Sequence, residues 1–282
     1  MKFEKWQALG NDYLIVEQER LPWELSEARI EWLCDQHFGV GADGILLLSR
    51  SEDPEFVAEL RIFNPDGSEA ELSGNGAREA ILYLRRHGWT EEDEFAIKTA
   101  AGPIRPTITG ELTCSVDMGK ASTTSKDFPA GGEDGRGTLQ AGGREWEFQH
   151  VSIGNPQCAI VVGPELDELD LGEIGPGIEG HELFPNRTNV SFVAIDGSRV
   201  RARIFERGVG ETLSSGTGAS GAAVTAFLRG AASPIMVELE GGELQVEVAD
   251  DLSVRLDGWA EPVFAGELTP ELLQALAELD GE

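Results

Sequence analysis

RIFNPDGSEAELSGNGA, residues 61–77, lies without a gap over RIFERGVGETLSSGTGA, residues 203–219, an offset of 142 residues. Arg-Ile-Phe matches, Ser-Gly-x-Gly-Ala matches, and Ser73 falls on Ser215. Two weaker echoes follow at an offset of 144. GNDYLIV (10–16) resembles GNPQCAIVV (154–162), and His37 before its glycine-rich stretch falls on His181 before ELFPNRTNV. Three echoes in one order imply two structural copies of a domain related by a pseudo-twofold axis. The expected division is 1–118 plus 263–282 for the first domain and 119–262 for the second, with the C-terminal tail closing the first.

Around these blocks strand patterns dominate. YLIVE (13–17), GILLL (44–48), VAELRIF (57–63), EWEFQHVSI (145–153), CAIVV (158–162), NVSFVAI (189–195), RVRARIF (199–205), PIMVELE (234–240) and ELQVEVA (243–249) read as strands. Helical periodicity is limited to about 26–37, 75–87, 217–229 and a short run after Pro270. Many strands and few helices predict an α+β fold, with curved sheets or half-barrels in place of a doubly wound parallel sheet. Residues 120–144, rich in Gly, Ser and Asp, read as a surface excursion or linker.

The chain carries 22 Lys and Arg against 51 Asp and Glu, a formal charge of −29. Such a surface repels nucleic-acid phosphates and anionic membranes, so neither is an expected partner. Cys34, Cys114 and Cys158 are odd in number and lack metal-like spacing, which argues against a disulfide framework or a zinc site. No continuous apolar stretch reaches membrane-spanning length, and MKFEKWQALGND is too polar for a signal peptide. The expectation is a soluble cytoplasmic protein.

In each copy a strand ends in Arg-Ile-Phe, a loop crosses, and a helix opens at Ser-Gly-x-Gly-Ala. Glycines let the backbone approach a ligand closely. The first helical N–H groups lack internal partners, and the helix dipole adds about half a positive charge there. A carboxylate or phosphate is stabilised at such an end. The plainer alternative, a serine that only caps its helix and glycines that only turn the chain, loses ground because the arrangement is duplicated. Two helix ends directed at one carboxylate suit removal of an amino acid's α-proton, because donors aimed at that carboxylate favour the enediolate-like transition state. A pseudo-twofold axis then places one side chain on each face of the carbon. That is the logic of a cofactor-independent racemase or epimerase acting on an amino acid with carboxylate groups.

At these residues the chain resembles the diaminopimelate epimerase family. The resemblance runs through ALGNDYLIVE (8–17), HFGVGADGILLL (37–48), RIFNPDGSEAELSGNGAR (61–78), SIGNPQCAIVV (152–162), HELFPNRTNVSFV (181–193) and RIFERGVGETLSSGTGASGAA (203–223). It implies two domains, each a sheet wrapped around a central helix, with the active site between them. The implied reaction interconverts LL- and meso-diaminopimelate, for lysine and peptidoglycan precursors, with no metal or cofactor. Carried over by matching position, Asn11, Asn64, Asn155, Asn189, Glu206 and Arg207 look like the substrate contacts. Asn64, Asn155, Asn189 and Arg207 would hold the distal carboxylate, and Glu206 would help with the distal ammonium. Backbone N–H groups of Gly74, Asn75, Gly216 and Thr217 would hold the reacting carboxylate. Relatives often pair, so a homodimer is an expectation, although no exposed apolar stripe demands it.

The departures lie at the chemistry. Where the family uses two cysteine thiols, this chain has Ser73 and Ser215. A thiol titrates near about 8.5 and can be lowered by its surroundings, whereas a bare hydroxyl has no accessible alkoxide near neutral pH. Gln157 stands where the family has a histidine thought to tune the thiols, and Gly44 replaces a glutamine near the substrate. Three readings follow. One is a deliberate Cys-to-Ser ligand trap, against which Gln157 and Gly44 weigh. Another is a diverged isomerase in which the serines relay protons for another base, with Glu206, Glu211 and Asp66 the nearest carboxylates by motif. The third is a binding protein that keeps the cradle without turnover.

Overall fold

The computed structural model describes residues 1–71 and 73–279. Leu72 and the last three positions of the expected first domain lie outside the described residues. The chain divides into two compact units, Met1–Val116 with Trp259–Glu282, and Asp117–Gly258.

The first unit opens with strands β1 (Lys2–Ala8) and β2 (Asn11–Glu17), then helix α1 (Glu27–Cys34), β3 (Ile45–Ser49), β4 (Ala58–Phe63) and the short β5 (Glu69–Ala70). Helix α2 (Gly74–Arg86), β6 (Ile97–Thr99) and β7 (Gly102–Ile104) complete it. Its sheet runs β1-β2-β3-β4-β6-β7. Neighbours alternate antiparallel, parallel, antiparallel, parallel, antiparallel along that path. The C-terminal strand Glu261–Glu267 returns to pair antiparallel with β1. The helix after it, Pro270–Glu278, brings Leu276 into a cluster with Ile30, Leu33, Leu47 and Phe63.

The hairpin of β8 (Pro106–Gly110) and β9 (Thr113–Lys120) carries the chain to the second unit. There β10 (Arg136–Ala141), β11 (Arg144–Ser152), β12 (Pro156–Val161), α3 (Leu171–Glu179), β13 (Asn189–Asp196), β14 (Arg199–Glu206) and β15 (Gly210–Thr212) follow in order. Helix α4 (Gly216–Leu228), β16 (Ile235–Leu239), β17 (Gly242–Val248) and β18 (Ser253–Trp259) close the series. The path β11-β12-β13-β14-β16-β17 repeats the same alternation of strand directions as the first unit. β10 lies against β11 as the C-terminal strand lies against β1.

Each sheet packs around a central helix, α2 in the first unit and α4 in the second. Ten consecutive residues of α2, Asn75–Leu84, are buried. α4 is built from small residues, GTGASGAAVTAFL, so the sheet can close on it from all sides. Its buried hydroxyls are satisfied within the helix: Ser220 Oγ donates to Gly216 O and Thr225 Oγ1 to Gly221 O, each at 2.8 Å.

Three sequence expectations need correction. Residues 171–179, LGEIGPGIE, form α3, outside the stretches of expected helical periodicity; Asp170 caps it by accepting from Glu173 N. Gly175 is required there because a Cβ would lie 2.6 Å from the Phe205 ring. The supposed linker 120–144 contains β10, whose Leu139 joins the apolar cluster of Trp146, Phe148 and Phe192. The first helix is shorter than expected, because Asp35 at its end turns back to accept from the backbone N–H groups of His37 and Phe38.

Candidate active site

The two duplicated motifs form corresponding clusters, one within each unit. In the first, β4 delivers Asn64 at its end, β5 turns back against β4 through Ile62–Ala70 and Phe63–Glu69, and Ser73 opens α2. In the second, β14 ends at Glu206, β15 turns back through Ile204–Thr212 and Phe205–Glu211, and Ser215 opens α4. Even the flanking ion pair is duplicated, Arg61 with Glu69 at 2.8 Å and Arg203 with Glu211 at 2.6 Å.

Both serines cap their helices. Ser73 Oγ accepts from Gly76 N at 3.1 Å, and Ser215 Oγ accepts from Gly218 N at 3.2 Å. Each glycine is closely packed: a Cβ on Gly76 would approach Leu46 Cδ2 to 2.9 Å, and one on Gly218 would reach Ile204 Cδ1 at 2.6 Å. A second contact is repeated as well. Asn75 Nδ2 donates to Asn11 Oδ1 at 3.2 Å, and Asn155 Nδ2 donates to Thr217 Oγ1 at 3.2 Å. The asparagine that begins each strand pair is thereby tied to the first turn of the central helix.

The first turns of α2 and α4 contain no acidic residue, whereas those of α1, α3 and Pro270–Glu278 carry Glu27, Glu173 and Glu271. In a chain with 51 acidic residues, the two duplicated helices carry no acidic residue in their own first turns, although Glu206 reaches the α4 cap through Ser215. The positive end of α2 can favour an anion from outside the protein, while that of α4 already has the Glu206 carboxylate at its capping serine.

Beyond the caps the two clusters differ. Ser215 Oγ donates to Glu206 Oε2 at 3.0 Å, and Thr212 Oγ1 donates to Glu206 Oε1 at 2.9 Å. Burial pushes the Glu206 carboxyl above its ordinary range, against the pull of the two hydroxyl donors. The residue matching Glu206 in the first unit is Asn64, whose Nδ2 donates to Ser68 Oγ at 2.9 Å. Ser73 has a different partner, the Tyr13 hydroxyl, which donates to Ser73 Oγ at 3.2 Å. The residue matching Tyr13 is Gln157, whose Nε2 donates to Asn155 Oδ1 at 2.7 Å.

The expected substrate residues fall into these clusters. Asn11, Ser73, Gly74 and Asn75 gather at the opening of α2. Asn155, Glu206, Ser215, Gly216 and Thr217 gather at the opening of α4. Asn189 bridges β12 and the loop after β14, donating to Pro156 O at 3.0 Å and accepting from Arg207 N at 2.9 Å. The exposed Arg207 side chain donates to Asn186 O at 3.1 Å. Of the other carboxylates considered, Glu211 is engaged by Arg203 and Asp66 by Ser68; only Glu206 contacts a serine at a duplicated cap.

Sequence reasoning missed Tyr13 as a site residue. The signal was present in the weaker echo, which sets Tyr13 opposite Gln157, a position already singled out. Among the described residues, no group of three or more His, Cys, Asp or Glu side chains converges as a metal site, and no helix is long and apolar enough to cross a membrane.

The family model described as diaminopimelate epimerase matches residues 3–124 and 149–258. Diaminopimelate epimerase 2 from Nostoc sp. is 40% identical over 279 residues, covering 96% of this chain and 97% of its own. Diaminopimelate epimerase from Synechococcus sp. (strain JA-3-3Ab) is 41% identical over 279 residues, covering 94% and 97%. Among solved structures, a hydroxyproline epimerase from Agrobacterium vitis with bound trans-4-hydroxy-L-proline superposes with a TM-score of 0.65 at 16% identity, covering 99% of this chain and 98% of that one. A predicted epimerase from Pseudomonas aeruginosa gives 0.65 at 18%, covering 95% and 98%. At those identities the likeness is one of fold.

Proposed function

Because the chain belongs to the diaminopimelate epimerase family, we propose that it is a cofactor-independent isomerase that interconverts LL- and meso-diaminopimelate by removing and returning the α-proton. The observation that carries this reading is the duplicated capped serine at the opening of a helix whose own first turn carries no acid. Epimerisation needs a proton acceptor for one face of the α-carbon and a donor for the other, and each unit offers one serine. Backbone N–H groups of Gly74, Asn75, Gly216 and Thr217 suit the reacting carboxylate, whose charge grows as the proton leaves. Asn11, Asn64, Asn155, Asn189 and Arg207 supply polar contacts for the rest of a zwitterionic amino acid. Glu206 takes the proton that Ser215 relays.

A hydroxyl alone could not replace a thiolate, since it has no accessible anion near neutral pH. Glu206 changes that balance on the second unit: the abstracted proton ends on a carboxylate, and no free alkoxide is formed. The same reading places the enzyme in the cytoplasm, with a small-molecule substrate, and includes a homodimer as an expectation for sedimentation to measure.

Incubation with LL-diaminopimelate in D₂O, followed by NMR of the α-proton, tests the reading. Loss of the α-proton signal with appearance of the meso isomer is expected. No exchange at high protein concentration, with the ligand bound, would leave a non-catalytic amino-acid-binding protein as the better account. Restoring thiols with Ser73→Cys and Ser215→Cys together should then produce turnover if the cradle is competent.

A further inference from the structure

We infer that Tyr13 is the positioning residue that makes Ser73 a proton donor, so that the two serines of the isomerase proposed above work in opposite senses. A serine hydroxyl has one hydrogen to give and two lone pairs to receive with. Ser73 Oγ receives from Gly76 N and from the Tyr13 hydroxyl. With both lone pairs engaged, its own hydrogen is the group directed outward. Ser215 Oγ receives from Gly218 N but gives its hydrogen to Glu206. It therefore keeps one lone pair outward. One hydroxyl is set to give a proton and the other to accept one.

The packing around Tyr13 fixes this arrangement. Tyr13 is buried, and its ring occupies the space above Gly44, where a Cβ would fall 2.7 Å from Tyr13 Cε1 and 2.2 Å from Phe63 O. Its other edge meets Gly76, whose Cβ would lie 3.3 Å from Tyr13 Cε2. A Cβ at position 44 would press on the phenol as well as on the Phe63 carbonyl. The absence of one at Gly44 and the presence of a hydroxyl on Tyr13 thus form one device, which brings an acid weaker than a carboxyl but far stronger than an alcohol to Ser73.

The protons balance. As the Cα–H bond breaks on the Ser215 side, that hydrogen goes to Ser215 Oγ while the Ser215 hydrogen moves to the Glu206 carboxylate. On the other side the Ser73 O–H bond breaks as the new Cα–H bond forms, and the Tyr13 hydrogen moves to Ser73 Oγ. The phenolate left on Tyr13 takes a proton from water, and Glu206 releases one to water. No oxidant, metal or co-reactant enters.

Tyr13→Phe tests this, because it keeps the ring over Gly44 and Gly76 and removes only the hydroxyl. In D₂O the variant is assayed with LL- and with meso-diaminopimelate for both α-proton exchange and inversion. Inversion is expected to fall about a hundredfold from either isomer. Exchange with retention is expected to survive only for the isomer whose α-hydrogen meets Ser215. A purely structural role would lower exchange and inversion together, and that result, or inversion at the wild-type rate, overturns the assignment. Wild-type protein that exchanges neither isomer overturns the isomerase reading and this assignment with it; wild-type turnover with an unaltered variant overturns this assignment alone.

A measurement without turnover supports or sinks the same contact. In Ser73→Cys protein the introduced thiol is titrated by its pH-dependent alkylation, the three native cysteines being buried. With Tyr13 donating to it the thiol should titrate roughly one unit lower than in the Ser73→Cys, Tyr13→Phe double variant. Identical titrations would show that the phenol does not act on position 73.

Discussion

Ser73 and Ser215 make the same bond to their helices and different bonds to everything else. Both accept from the N–H three residues on, and that shared part was legible in the sequence, since Ser-Gly-x-Gly-Ala recurs intact. The difference was not, because it depends on Tyr13, 60 positions from Ser73, and on a glycine whose importance is the space it leaves. Glu206 was legible in two roles, as a contact for a distal ammonium by resemblance and as a carboxylate near the serines by motif, and in the structure its carboxylate accepts from Ser215. If Glu206 is the terminal proton acceptor, only its ionised form works. Burial raises its pKa, so the working form is lost as pH falls through a value above the usual carboxylate range of about 4.3. We expect kcat/KM to rise with pH along a limb displaced upward from that range. Glu206→Gln should remove the limb and lower kcat/KM by about 10² to 10⁴, as measured by the D₂O exchange assay across pH. A variant that keeps the limb would assign it to another group.

At the scale of elements, the sequence predicted the central helices well and the auxiliary ones poorly. α2 and α4 begin at serine caps followed by Gly-x-Gly, a strong local signal. α3 carries Pro176 and three glycines, and the tertiary setting against Phe205 accounts for one of them, Gly175. Short strands such as β5, β6, β7 and β15 have too few residues to display alternation, so their pairing was not readable in advance. α2 also contains a cost that its periodicity hides. Glu79 is fully buried, and its carboxyl is held well above the usual range by that burial. The folded state therefore keeps this proton where the unfolded chain has lost it. Such a group favours folding below the unfolded pKa of about 4.3, and the contribution is lost as pH rises, by up to about 1.4 kcal/mol per pH unit, until the native carboxyl ionises. Glu79→Gln, neutral at every pH, should raise the Tm relative to wild type at pH 7.5, with the difference shrinking toward pH 5. A difference that does not depend on pH would mean that Glu79 titrates alike in both states.

For the molecule as a whole, the 142-residue offset announced two copies, and the structure gives both units the same path of strand directions around a helix. Periodicity could not have told which neighbours run parallel, nor that Glu261–Glu267 would cross the length of the chain to reach β1. The other global property, a charge of −29, was legible at once and is distributed over both units. With 51 acids and 22 bases, most carboxylates have no cation to pair with, and ion pairs such as Arg199–Glu243 or Arg144–Glu165 sit at exposed positions where each contributes little. Net repulsion therefore opposes the compact state, and salt relieves it: the screening length falls from about 10 Å at 0.1 M to about 3 Å at 1 M. The Tm should rise between 0.05 and 1 M KCl at pH 7.5. The rise must have an electrostatic signature to bear on this argument, because salts also strengthen apolar burial. Near the isoelectric point of about 4.4 the net charge vanishes, so at pH 5 the increment should be much smaller than at pH 7.5. Equal increments at the two pH values would assign the salt effect to burial and leave the acidic surface without a role in stability.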